Sequence, residues 1–224
     1  MKKIQSALFA VLALLALTTA SSAGALSGVY LEVGSSAVGV ELDGNHNDTS
    51  GDISTGSLGK TAVTGSYGLG FMTDRSRKMG LDFGYISTPG EAKFATSSDH
   101  VTAQTTKVTF EVSDSTEYFI APMINITEDA SLYIKFGQND ADVKVTGDVT
   151  KPSDLSGDTV ALGTVMSWGS NLFIRTEAGM TDYDTITTKG KSAPVANQTG
   201  IANTTSVTAS PSIHYGRIAI GYKF

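Results

Sequence analysis

The sequence predicts an all-β protein, an eight-stranded antiparallel up-and-down transmembrane β-barrel behind a cleaved signal peptide. Three observations carry that expectation. Bulky apolar side chains alternate with small or charged ones along most of residues 26–224, and period two is the repeat of a strand with two unlike faces. The connections between alternating segments switch between long and short. After residue 25 no apolar run approaches the roughly 20 residues of a membrane helix, so any spanning must be done by strands.

At the N-terminus, Lys2 and Lys3 precede an apolar stretch from Ala7 to Leu17, followed by Ser21, Ser22, Ala23, Gly24 and Ala25. A charged start, a short apolar run and small residues make a secretory signal, expected to cover residues 1–23 with cleavage after Ala23 or, alternatively, after Ala25. The mature chain, 26–224, is expected to be one barrel domain, because no linker separates two compositionally different halves. Loss of Lys2 and Lys3 takes the formal charge from −6 to −8, an acidity that argues against a nucleic-acid partner. The chain has no cysteine, which excludes a disulfide framework, a thiolate metal site and a lipid anchor attached to cysteine.

The strands follow in order. In the first, Val29, Leu31 and Val33 alternate with Tyr30, Glu32 and Gly34; in the second, Val63, Tyr67, Leu69 and Phe71 alternate with Lys60, Ala62, Ser66, Gly68 and Gly70. The third sets Met79, Leu81, Phe83 and Tyr85 against Gly80, Asp82 and Gly84, and the fourth Tyr118, Ile120, Ile124 and Ile126 against Glu117, Phe119, Ala121 and Asn125. Leu132, Ile134 and Phe136 oppose Tyr133, Lys135 and Gly137 in the fifth; Val160, Leu162, Met166 and Trp168 oppose Ala161, Gly163 and Ser167 in the sixth. The seventh has Leu172, Ile174 and Met180 opposite Arg175, Glu177 and Gly179, and the last has Ile218, Ile220, Tyr222 and Phe224 opposite Arg217, Ala219, Gly221 and Lys223. Residues 43–57, 96–106, 141–158 and 184–210 read as long connections, and 73–78, 127–130 and 169–171 as short ones. Four long and three short connections give eight strands with both termini on the short-turn side, the pattern of outer-membrane barrels.

A soluble eight-stranded barrel would share this period with its apolar face turned inward. The composition of the polar face decides between them. It is crowded with Gly34, Gly68, Gly70, Gly80, Gly84, Gly137, Gly163, Gly179 and Gly221, which suits a narrow lumen better than a water-facing surface of long side chains. The same face carries Glu32, Asp82, Glu117 and Glu177 against Lys60, Lys135, Arg175, Arg217 and Lys223. Buried charge is tolerable when paired, so these residues are expected to plug the lumen with salt bridges. Phe71, Tyr118, Trp168, Tyr222 and Phe224 fall near strand ends, where aromatic girdles meet the membrane interface.

The C-terminal run Gly216-Arg217-Ile218-Ala219-Ile220-Gly221-Tyr222-Lys223-Phe224 resembles the terminal strand of bacterial outer-membrane barrels. Together with the signal and the loop pattern, it makes the whole mature chain similar to the porin-like group of eight-stranded barrels that includes the OmpA transmembrane domain, OmpX and opacity-type surface proteins. The resemblance implies that Ile218, Ile220, Tyr222 and Phe224 form the signal read by the barrel-assembly machinery. It implies a place in the bacterial outer membrane among lipid and lipopolysaccharide, with loops extracellular and both termini periplasmic. Cell-wall tethering does not carry over, since nothing here matches the periplasmic domain of full-length OmpA.

Candidate chemistry is sparse. Ser212 and His214 lie two apart and would share a strand face, as a nucleophile and base could. They resemble, in reverse order, the His-x-Ser pair of lipid A deacylase barrels, but no acidic residue stands out to orient the histidine. His46 and His100 fall in expected loops. Outer-membrane proteases use ten strands, against eight here. Asp140, Asp142, Asp148, Asp154 and Asp158 match no calcium-loop spacing and read as solvated carboxylates; the sequons at Asn47, Asn197 and Asn203 read as loop composition. Neither a metal site nor a cofactor is expected. The leading expectation is therefore a non-enzymatic barrel with a structural and surface-interaction role, its loops meeting an unidentified extracellular ligand. The alternatives are a narrow channel for ions or small solutes and, behind it, a lipid A-modifying hydrolase.

Overall fold

The computed structural model describes residues 28–47, 53–73, 78–98, 107–147, 149–191 and 206–224. The expected signal peptide, His100, Asp148, Asn197 and Asn203 lie outside these residues, as do the side chains of His46 and Lys60. The strands are β1 (Gly28–Asn47), β2 (Ile53–Met72), β3 (Met79–Ser98), β4 (Lys107–Asn125), β5 (Ala130–Thr146), β6 (Leu155–Trp168), β7 (Leu172–Tyr183), β8 (Ile186–Lys189) and β9 (Ser206–Lys223). Strands β1 to β7 pair antiparallel in sequence order, β7 and β8 each pair with β9, and β9 returns to pair with β1 from Tyr30 opposite Lys223 to Asn47 opposite Ser206. The sheet is closed.

Both β7 and β8 lie along the same side of β9. Asp182 faces Ser212 and Ile186 faces Ala209, so the β7–β8 side spends one residue more than β9 between these pairs. That is a bulge, and the two segments form one stave of an eight-stranded barrel.

Several of the expected long loops are largely ladder. Pairing of β1 with β2 continues from Asp43 opposite Ser57 to Asn47 opposite Ile53, and β3 and β4 pair out to Ser98 opposite Lys107. The segment 184–210 contains β8 and the start of β9. These stretches are rich in Thr, Ser and Asp, so they lack the apolar alternation that marks a strand, yet backbone pairing does not require it. At 20 residues, β1, β2 and β3 are about twice the 9–11 residues that cross a bilayer. The sheet therefore extends well past the apolar band.

That band lies on the outward face. Val160, Leu162, Met166 and Trp168 of β6 and Ile218, Ile220, Tyr222 and Phe224 at the β9 end are all exposed. Eight residue steps from Val160 to Trp168, at about 3.3 Å each and tilted by about 40°, give a belt roughly 20 Å tall. Of the expected girdle, Phe71 is instead buried, its ring 5.4 Å from that of Phe83, and Tyr118 is half-buried beside Tyr85.

The lumen is packed rather than merely narrow. Tyr30, Met72, Phe119, Met123, Tyr133 and Phe173 fill its short-turn half, and Ala141, Val143, Leu155, Tyr183 and Ile186 cluster near the other end. Four of the inward glycines, Gly70, Gly84, Gly163 and Gly221, are sockets for Tyr30, Phe119, Tyr133 and Phe173. A Cβ at Gly84 would fall 2.9 Å from the Phe119 ring, and one at Gly221 would enter the ring of Phe173.

One ladder is incomplete. Among the described residues, β2 and β3 pair only from Met72 opposite Asp82 to Tyr67 opposite Ser87, although both strands continue for more than ten residues. At the point of divergence β3 contains Pro89, which has no ladder N–H, and Gly90 at φ +119°. Thr88 faces Ser115 and Glu91 faces Ser113, so Pro89 and Gly90 together oppose Asp114, and the Gly90 N–H donates to Asp114 Oδ1 at 3.4 Å. This bulge turns β3 away from β2.

Candidate functional site

Eight of the nine charged residues expected on the inner face are buried inside the barrel: Glu32, Asp82, Glu117, Lys135, Arg175, Glu177, Arg217 and Lys223. The ninth, Lys60, has its side chain outside the described residues. Alternation places them, since each shares the parity of the buried, inward residues on its strand, as Glu32 with Tyr30 and Asp82 with Ile86.

Seven of the eight form two linked clusters. In the first, Arg175 on β7 spans the lumen, its Nε 3.0 Å from Glu32 Oε2 on β1 and its Nη2 2.6 Å from Asp82 Oδ2 on β3. The Tyr30 hydroxyl donates to Asp82 Oδ1 at 3.0 Å and accepts from Arg175 Nη2 at 3.2 Å. Arg217 on β9 reaches Glu32 Oε1 at 2.7 Å and donates from Nε to Ser66 Oγ on β2 at 3.2 Å. The rings of Tyr30, Phe119, Tyr133 and Phe173 surround the Arg175 guanidinium at 5.3–5.9 Å, a desolvated cation–π cage.

In the second cluster, Lys135 on β5 bridges Glu117 on β4 at 2.7 Å and Glu177 on β7 at 2.5 Å. The hydroxyls of Tyr133 and Tyr215 donate to Glu177 at 2.6 and 2.8 Å. Together the clusters draw on every stave of the barrel except β6. Four carboxylates meet three cations. Lys223 is buried at the short-turn end, beside Gly28.

Sequence reasoning placed Tyr30 and Tyr133 on the inner face without giving them a role, and it passed over Tyr215 and Ser66 as partners. The missing signal was parity: Tyr215 stands two before Arg217, and a phenol at such a position can supply the third hydrogen bond a buried carboxylate needs.

Ile218, Ile220, Tyr222 and Phe224 line the outward face of β9, with the Tyr222 and Phe224 rings 5.3 Å apart. The Phe224 N–H donates to Val29 O at 3.0 Å, tying the chain end to β1. Ser212 and His214 belong to the same outward parity, away from the lumen. Ser212 stands opposite Glu41 and Asp182, while no hydrogen bond joins it to His214 among the described residues. Among those residues, too, no group of three metal-ligating side chains converges.

Comparison with known proteins places this architecture. None of the curated proteins compared with the chain matches it in sequence. The outer membrane protein OprG from Pseudomonas aeruginosa is similar in structure, with a TM-score of 0.54 at 14% identity, covering 91% of this chain and 99% of OprG. Neisserial surface protein A aligns with a TM-score of 0.48 at 12% identity over 88% of this chain and 98% of its own. Ail, the attachment invasion locus protein of Yersinia pestis, aligns with a TM-score of 0.37 at 10% identity over 85% of this chain and 99% of its own. A family model for the outer membrane protein beta-barrel domain matches residues 7–214. The chain belongs to that family of outer-membrane β-barrels.

Proposed function

We propose that this barrel has a structural and surface-interaction role, with its lumen held shut by the ion-pair plug and its long-loop end presented outside the cell. The carrying observation is that Arg175 and Lys135 are fully buried at the centre of the lumen, each shared between two carboxylates. A conducting pore needs solvated charge along its axis, so the channel reading finds less support. The outward Ser212 and His214, with no bond between them, give the hydrolase reading no nucleophile and base pair.

The orientation follows from the same plan. The short turns, the start of β1 and the end of β9 lie together, and in outer-membrane barrels the short turns are periplasmic and the long connections extracellular. Ile218, Ile220, Tyr222 and Phe224 then face lipid near the periplasmic rim, available to the assembly machinery before insertion. The extended strand ends, rich in Thr, Ser and Asp, form the surface offered to ligands, other surfaces or phage, with lipopolysaccharide around the belt.

Two measurements test this reading. Trypsin added to intact cells is expected to cleave at Lys189 or Lys191, and complete protection there would reverse the orientation. Proteoliposomes holding the protein are expected not to swell in small sugars; swelling comparable with that given by a general porin would favour the channel.

A further inference from the structure

A chamber of about 250 Å³ lies inside the barrel on the long-loop side of the plug. Its floor includes Glu117, Glu177, Tyr215 and Arg217, and its wall includes residues 63–65 of β2 and 88–90 of β3. Those two stretches are the diverging edges of the incomplete β2–β3 ladder. The chamber therefore meets the barrel wall at the seam.

The seam begins inside the membrane belt. Tyr67 is five residues from Met72 at the short-turn end of β2, about 16 Å along the strand and about 12 Å up the barrel axis, roughly half the height of a 25 Å apolar band. Val63 and Tyr67 beside it are exposed on the outward face. An open strand edge is disfavoured in hydrocarbon unless polar groups meet it.

The chemistry inside the chamber restricts what those groups can be. Glu177 is held by Lys135 and two tyrosine hydroxyls, and Glu117 by Lys135. Three buried polar groups in the lining have an atom without a hydrogen-bond partner, Arg217 at Nη1, Ser113 at Oγ and Glu117 at Oε1, the last ion-paired with Lys135, and all three residues are more than nine-tenths buried. The first two can donate and the third accepts. An anionic group would come to lie beside the floor carboxylates Glu117 and Glu177, an unfavourable like-charge contact. An uncharged group rich in hydroxyls meets the free donors and the surrounding Thr88, Ser115 and Asn139 without that penalty.

We infer that this chamber binds the uncharged, polyhydroxylated head of an outer-leaflet amphiphile, which enters sideways through the β2–β3 seam and leaves its apolar tail against Val63 and Tyr67. The inference rests on the plugged-barrel reading, because the plug is the chamber's floor.

The chain has no native cysteine, so Ser113→Cys gives a single thiol in the chamber. Its labelling by a neutral maleimide is followed in lipid nanodiscs with octyl glucoside below its micellar concentration. Octyl glucoside is expected to slow labelling by about ten-fold at ten times its Kd, while octyl phosphate and free glucose leave the rate unchanged. Equal protection by glucose would overturn sideways entry, equal protection by octyl phosphate would overturn the uncharged head, and no protection would overturn the site. If Ser113→Cys fails to fold, native mass spectrometry of the wild-type barrel is expected to retain one octyl glucoside, and retention of none overturns the proposal. Conductance of the same preparations separates the two readings: a silent barrel without protection removes the chamber alone, and a conducting barrel removes the plug.

Discussion

Replacing Arg175 with methionine keeps most of the side chain's volume and removes its charge. Two ion pairs at 2.6 and 3.0 Å and the hydrogen bond to Tyr30 disappear with it. Glu32 keeps Arg217 at 2.7 Å, but Asp82 is left with the Tyr30 hydroxyl alone in a site with no solvent exposure. Breaking a buried pair so that one charge is stranded costs about 3–5 kcal/mol. Arg175→Met is therefore expected to lower unfolding free energy by that amount, read from denaturant titration in detergent micelles through the single tryptophan, Trp168. Asp82→Asn in the same chain removes the stranded charge, so the double variant is expected to lose less than the sum of the singles by about 1–3 kcal/mol. A loss below about 1 kcal/mol for Arg175→Met, or strictly additive losses, would refute the claim that these groups hold one another in a dry lumen.

Three further expectations test other parts of the structure. Gly221→Ala places a methyl group in the Phe173 ring and is expected to cost about 1–3 kcal/mol or to block folding, with Phe173→Leu restoring heat-modifiable gel migration. Phe224→Ala removes an exposed ring, so it is expected to change stability in vitro by less than about 1 kcal/mol while reducing the amount of folded barrel in cells several-fold by immunoblot. Near the long-loop end, the hydrogen bond from Lys151, then that from the Val143 N–H, hold the exposed Asp154 carboxyl below the usual carboxylate range. A lowered folded value means that this contribution is present above the unfolded pKa and is lost as pH falls through the folded one. Being exposed, the pair should contribute under about 1 kcal/mol, seen as faster Val143 amide exchange in acid and not as global unfolding.

The membrane-spanning part of the fold was legible because lipid and lumen impose opposite chemistry on alternate residues. Leu162 and Gly163, or Ile218 and Arg217, announce which face each occupies. That signal fades where the strands leave the belt. Residues 43–47 and 53–57 form a regular ladder but their sequence, Asp, Asn, His, Ser, Thr and Gly with one Ile, shows no apolar alternation, so they read as a loop. The candidate site was legible as a set of charges and not as a set of partners. That Arg175 lies between Glu32 and Asp82 depends on the barrel's closure and register, which bring β1, β3 and β7 together across the lumen. The glycines were legible as inward, but their purpose appears only with the neighbouring strand in place, as Gly84 with Phe119 and Gly221 with Phe173. The β2–β3 seam had local markers in Pro89 and Gly90, and its connection with a chamber required three dimensions.

Single-channel recording in planar bilayers, with the wild-type protein inserted at low density beside a general porin as positive control, tests the plug most directly. If the ion pairs of Arg175, Lys135 and Arg217 close the lumen, the barrel inserts and the current stays at baseline across the voltage range. Discrete, reproducible openings that scale with salt concentration would contradict it.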